Sequence, residues 1–366
     1  MTGTWAHCRW PALPLILVAG ILCPCQAEMR CEASARLSSG YDSNALEAVS
    51  ASRRVGDSFI RLESDVALSS TGRQGGGPRL EARTAVERFL EQRGENRRLA
   101  ELTVGWRQVQ RDRRLSCRWS TGHTTRPGAD SLDVWRHELS HEGSITLAHG
   151  TDLRWSAQGR WAETRPSGPS DRRGWGLSAG LGRRVGARWR LSARLDVDDV
   201  TFDERAILSW TGGEIAYRDG EHHDRSLLAG IGATWLGQPM LTAFYGYRRV
   251  SSNSFGFAQH REELSFAAAF LFPYRISAQL IGRLQTPHYA EEGFAVYRLT
   301  DDPEAIDVGA RSRLTLQLRR PLGDAGFSAE IRGSWHRNES RISGRYHEKV
   351  RLTAGISYQA SNAESL

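Results

Sequence analysis

The chain has 366 residues, a formal net charge of +7 and a mean hydropathy of −0.49. Arginine supplies 48 of the 49 basic side chains, Lys349 being the one lysine, and they are scattered among 42 acidic residues. This distribution leaves no basic stripe of the kind nucleic-acid binding requires. Past residue 27 no run of about 18 apolar residues remains, so no spanning helix is expected. A polar mean hydropathy does not exclude a membrane, because a transmembrane barrel hides its lipid face in every second residue.

Residues 1–27 read as a secretory signal. Arg9 gives a positive start, Pro11 to Leu22 an apolar stretch too short to span a bilayer, and Cys25-Gln26-Ala27 a small-residue cleavage site before Glu28. Neither Cys23 nor Cys25 follows the small residue that a lipoprotein would need. From there on, apolar and polar residues alternate in stretches bounded by turn residues, the mark of half-exposed strands. The first is Cys31 to Tyr41 and the second Ser58 to Ser70, in which Ile60, Leu62, Val66 and Leu68 share a face opposite Arg61, Glu63 and Asp65. Others span 79–90, 99–110, 113–123, 133–148, 152–163, 174–184, 188–200, 225–236, 239–250, 260–272, 274–285, 308–319, 326–337 and 347–358, making sixteen.

Connection lengths alternate. Arg111-Asp112, His149 to Thr151, Val185 to Ala187, Gly237-Gln238, Pro273 and Pro321 to Ala325 are short and fall at even-numbered connections. The long ones, 42–57, 201–224, 286–307 and 338–346, fall at odd-numbered ones. Outer-membrane barrels have short periplasmic turns and long outer loops. The expectation is therefore an all-β, single-domain antiparallel transmembrane β-barrel over 28–358, with a short polar tail over 359–366, in the bacterial outer membrane. Ala206 to Trp210 and Glu214 to Tyr217 flank Thr211-Gly212-Gly213, a hairpin signal read as an outer-loop hairpin; as wall strands they would raise the number to 18. Trp106, Trp155, Trp189 and Trp235 fall near periplasmic strand ends, and Trp161, Trp175 and Trp335 near outer ends, as interfacial rings should. Cys31 and Cys117 fall on the lipid face of strands that are not neighbours, so no disulfide is expected.

Taking the more apolar face as outward gives the inner wall. Along 188–200, Arg190, Ser192, Arg194, Asp196 and Asp198 point inward. Along 274–285 these are Arg275, Ser277, Gln279 and Arg283, and along 308–319 they are Arg311, Arg313, Thr315, Gln317 and Arg319. Glu63, Asp65, Glu81, Glu101, Glu138, Glu142, Glu263 and Glu330 also face in. Such arginines either attract anionic or hydroxylated cargo or pair with acids across strands and brace the wall. Bracing suits most of them; Arg311, Arg313 and Arg319 have few acids on their own strand and are the best candidates for cargo contact.

Gly40-Tyr41-Asp42-Ser43-Asn44 closes the first strand. It resembles the signature at the end of the first strand of outer-membrane β-barrels linked to exopolysaccharide export and surface-protein assembly. That resemblance implies a barrel assisting the passage of polysaccharide or another anionic polymer, and partners in outer-membrane lipid and the barrel-insertion machinery. Family members often carry an N-terminal tetratricopeptide array, for which this sequence leaves no room before Cys31. Read locally, Tyr41 supplies an interfacial ring, and Asp42 and Asn44 suit a turn.

Enzymatic readings fare poorly. His137, Ser140, His141, Glu142 and Ser144 hold the ingredients of a hydrolase, but strand alternation puts His137 and His141 on one side of the wall and Ser140, Glu138 and Glu142 on the other. His222-His223, between Glu221 and Asp224, read as a solvated loop rather than a metal site, and no CxxC spacing exists. Gly180-Leu181-Gly182 and Gly230-Ile231-Gly232 lack the strand-helix context of a phosphate loop. No cofactor is implied. The sequence thus points to a pore or transport barrel, with export of a polar polymer, general diffusion, and a plugged adhesive barrel as the alternatives.

Overall fold

The computed structural model describes residues 28–45, 54–71, 76–126, 132–165, 171–203, 207–208, 214–215, 221–254, 257–290, 311–323, 325–338 and 348–364. Sixteen strands close into one antiparallel barrel. The first four are β1 Glu28–Asp42, β2 Asp57–Thr71, β3 Gly77–Phe89 and β4 Arg97–Val109. Next come β5 Arg113–Arg126, β6 Leu132–Thr146, β7 Thr151–Arg165, β8 Arg172–Val185 and β9 Trp189–Phe202. After them run β10 His222–Trp235, β11 Met240–Ser252, β12 Gln259–Phe272 and β13 Ile276–Tyr289. The last three are β14 Arg311–Pro321, β15 Phe327–Asn338 and β16 Glu348–Glu364. Every strand pairs with its chain neighbours, and β16 returns to β1. Ile207–Leu208 pairs with Glu214–Ile215 outside the wall, so the hairpin signal between β9 and β10 adds no wall strand.

Directly opposed residues in an antiparallel ladder share a face. The register can therefore be followed from strand to strand, and it sorts the wall into two solvents. The row Leu153, Leu181, Ala193, Ile231, Tyr245, Leu264 and Leu284 runs along the outside. Leu37, Leu62, Leu191, Leu195, Ile231, Leu316 and Ile356 are exposed there, an apolar surface that only lipid would cover without cost. Trp106, Trp155, Trp189 and Trp235 lie on this face towards the periplasmic ends, and Trp161, Trp175 and Trp335 towards the outer ends. Trp189 and Trp235 meet edge to face with centroids 5.1 Å apart. Cys31 and Cys117 are free and outward, on β1 and β5, which are not neighbours.

The periplasmic turns are tight. His149 (φ 59°) and Gly150 (φ 69°) take left-handed conformations in one, and Tyr274 (φ 63°) and Arg275 (φ 60°) in another, the twist that short hairpins favour. Asp57, buried at the outer end of β2, anchors the turn after β3 by accepting the N–H groups of Glu91 (3.0 Å) and Gln92 (2.8 Å).

Three local expectations change. Arg275 sits in the periplasmic turn ahead of β13 rather than inside a strand starting at 274, because Pro273 opens a turn that carries through Arg275. The final strand runs past Tyr358 to Glu364, where a tail from Gln359 was expected, because β1 extends back to Glu28 and offers it a partner. His222 is no part of a solvated loop: it starts β10 opposite Phe202, fully buried. Its Nε2 lies 2.9 Å from Asp224 Oδ1, and Phe202 and Phe257 meet its ring edge-on at 5.1 and 4.6 Å. His223 points out instead, 3.3 Å from the Thr201 hydroxyl. Residues 1–27 and 308–310 lie outside the described residues.

Candidate functional site

The inner wall carries the chemistry, and most of its charge is paired. One network joins β1, β2, β3, β15 and β16. Glu63 accepts from Arg61, from Arg36 at 3.4 Å and from Arg83 at 3.3 Å. Arg36 also reaches Glu330 at 3.0 Å, which Arg332 contacts at 3.1 Å. Glu87 takes Arg61 at 3.1 Å and Arg351 from across the seam. A second network joins β7, β9, β11, β12 and β13. Asp198 takes Arg160 at 2.8 Å and Arg248 at 3.1 Å; Arg248 reaches Glu263 at 2.9 Å, and Glu263 takes Arg283 at 2.8 Å. Glu63, Glu87, Glu263 and Glu330 are buried beneath their arginines. A buried carboxylate is tolerable only when so compensated.

The candidates divide accordingly. Arg190 pairs with Asp152, Arg194 with Asp196 at 2.7 Å, and Arg283 with Glu263: these brace the wall. Arg275 lines a cavity of about 610 Å³ at the periplasmic mouth with Leu271, Phe272, Ser277, Arg319, Pro321 and Ser328. Arg311, Arg313 and Arg319 share the inner face of β14, between the two networks. Among the described residues none of the three has a carboxylate within 4.0 Å; Arg313 donates to the Thr315 hydroxyl at 3.2 Å. The register gives β13–β16 seven inward cations (Arg283, Arg311, Arg313, Arg319, Arg332, Lys349 and Arg351) against one inward carboxylate, Glu330. Four of the seven are paired, Arg332 with Glu330 and Arg283, Lys349 and Arg351 with carboxylates of other strands, so the uncompensated positive charge is that of Arg311, Arg313 and Arg319 on β14.

The five-residue motif has a different task. Asp42 is buried, accepts the Asn44 N–H at 3.0 Å and faces the ammonium of Lys349, the one lysine, at 3.5 Å. Ser43 and Val350 exchange two bonds, Ser43 N–H to the Val350 carbonyl (3.0 Å) and Val350 N–H to the Ser43 hydroxyl (2.9 Å). Asn44 Nδ2 donates to the Glu348 carbonyl at 3.2 Å. Apart from the local Asp42–Asn44 bond, these contacts join the first strand's end to the last strand's beginning. Gly40 lies over the Phe59 ring: a Cβ there would fall 2.7 Å from Phe59 Cζ and 2.8 Å from Thr353 Cγ2, and would also strike the Leu352 carbonyl. Phe59 packs against Phe89 with the rings tilted by 53° and centroids 5.6 Å apart, and the Arg351 guanidinium lies 4.0 Å above its centroid.

A hydrolytic site does not assemble. His137 and His141 project into the lipid face, Ser140 and Glu142 into the lumen, with the wall between them. Among the described residues no group of three or more metal-ligating side chains converges.

A wet, charged inner wall inside a greasy outer one has a single compatible setting. The protein is an outer-membrane β-barrel. No family model matches the sequence, and no curated protein does. Solved structures share the overall form. The outer membrane protein OpdK from Pseudomonas aeruginosa is 10% identical, with a TM-score of 0.46, covering 91% of this chain and 99% of that one. OccAB1 of Acinetobacter baumannii is 9% identical, at 0.48, covering 91% and 96%. A bacterial polysaccharide outer membrane secretin is 8% identical, at 0.48, covering 92% and 99%. Likenesses this distant say nothing about cargo; the barrel assignment rests on the closed register.

Proposed function

We propose that the barrel is a diffusion channel for small polar solutes, favouring anions over cations. The observation that carries this reading is the exposure of side chains inside the wall. Arg118 (52%), Glu142 (58%), Arg154 (61%) and Arg194 (56%) all point inward, yet more than half of each side chain is open. A packed or plugged interior would bury them, whereas a sixteen-stranded wall encloses more space than its own side chains fill. Anion preference follows from Arg311, Arg313 and Arg319 of β14, which face the lumen with no carboxylate within 4.0 Å among the described residues. Export of a polysaccharide, implied by the motif at 40–44, has less support, because those residues are engaged in closing the seam.

The experiment is a reversal-potential measurement in a salt gradient across a planar bilayer. The wild-type protein is expected to pass anions preferentially, and Arg311→Glu/Arg313→Glu to move the reversal potential towards cation preference. An unchanged potential in a folded double variant would refute the assignment of β14 to the conducting path.

A further inference from the structure

The outer surface of the barrel carries cations that neither the lumen nor the seam uses. Arg88, opposite Ile60, and Arg98, opposite Val86, both point outward at the outer ends of β3 and β4. Both are exposed, and among the described residues neither has a carboxylate within 4.0 Å. The offset of two residues makes them diagonal neighbours, about 7–8 Å apart at their Cα atoms, close enough for two long side chains to converge on one anion. Beside them on the same face rises a stack of four rings from β5, β6 and β7. His123 lies on Trp135 at 4.1 Å, Trp135 by His137 at 6.4 Å, and His137 on Trp161 at 5.0 Å, with planes within 19° of parallel. Two carboxylates share this face beside the rings, Asp133, which faces His123 at 3.8 Å, and Glu163, opposite Trp135 in the register.

Height is what gives these residues meaning. Below them on the same strands come Ala82 and Leu80, and Leu102 and Val104, the apolar band in contact with acyl chains. Amphipathic rings mark the level where the hydrocarbon ends, so the two guanidinium groups stand among lipid headgroups. The outer connections here, 90–96 and 127–131, are short beside 203–221 and 290–310, so little chain is available to cover the patch. An arginine on the lipid face near an interface costs only about 0–1 kcal/mol. Paired guanidinium groups suit the planar, bidentate recognition of phosphate oxygens.

We propose that Arg88 and Arg98 form a binding site for the phosphate group of an outer-leaflet lipid, seated against the ring stack. This site is independent of conduction. It is tested on the folded full-length barrel in nanodiscs of zwitterionic lipid, titrated with a bisphosphorylated disaccharide lipid and followed by native mass spectrometry. Saturable binding is expected, weakened at least about tenfold by Arg88→Gln/Arg98→Gln, the loss of charged hydrogen bonds to one group, and less by Arg98→Gln alone. Arg173→Gln, whose arginine already holds Glu221 at 2.8 Å on the same outer face, should leave binding unchanged. Inorganic phosphate should not displace the lipid. The proposal is overturned if the double variant binds as tightly as wild type, if the dephosphorylated lipid binds equally well, or if inorganic phosphate competes at similar concentration.

Discussion

Gly40→Leu should leave most of the protein unable to close. The glycine occupies a site where β1, β2 and β16 come together over an aromatic ring, and the first atom of any side chain already meets Phe59, Thr353 and the Leu352 carbonyl. Phe59 cannot yield easily, since Phe89 and Arg351 hold it on the lumen side and it is buried. Overpacking of this kind costs about 1–3 kcal/mol for small intrusions, and a leucine asks for more than that. The cost falls on the pairing that turns an open sheet into a barrel. The expected result is loss of the faster-migrating folded band in unheated gels, with Gly40→Ala intermediate. A Gly40→Leu barrel as heat-resistant as wild type would show that the motif at 40–44 does not hold the seam.

Glu87→Ala should be nearly as damaging, for an electrostatic reason. Glu87 is buried on β3 and binds Arg61 on β2 and Arg351 on β16, so one carboxylate ties together strands on both sides of the seam. Removing it strands the Arg351 guanidinium, and breaking a buried pair from one side costs about 3–5 kcal/mol. Arg61 suffers less, since it keeps Glu63. Glu87→Leu combined with Arg351→Leu should recover much of the loss, because no charge is then left without a partner. Urea unfolding in detergent micelles measures both. If the double variant were no more stable than Glu87→Ala, the pair would not be the source of the loss. By contrast, exposed lumen pairs such as Arg79 with Glu81 should each contribute less than about 1 kcal/mol.

These two residues also mark what could be read in the sequence. The sixteen wall strands, their inward and outward faces, and the alternation of short and long connections all follow from local alternation and turn chemistry, and each is found in the barrel. Strand ends were less legible, because pairing decides them: β16 continues to Glu364 only because β1 reaches back to Glu28. His222 looked like a loop residue beside His223 and two acids, but the Phe202 and Phe257 rings that enclose it come from other strands and turns. The partners of the lumen arginines were hidden for the same reason. Arg36 meets Glu330, and Arg351 meets Glu87, across most of the chain length. Composition showed that Arg311, Arg313 and Arg319 had few acids on their own strand; that Glu330, opposite Arg319 on β15, is held by Arg36 and Arg332 instead required the closed barrel.

The account depends on a water-filled path through the barrel. Single-channel recording of the purified, folded protein in a planar bilayer tests this directly. Stepwise, sustained current that scales with salt concentration is predicted. A folded, membrane-inserted barrel that passes no current would contradict it and leave a closed wall with a different purpose.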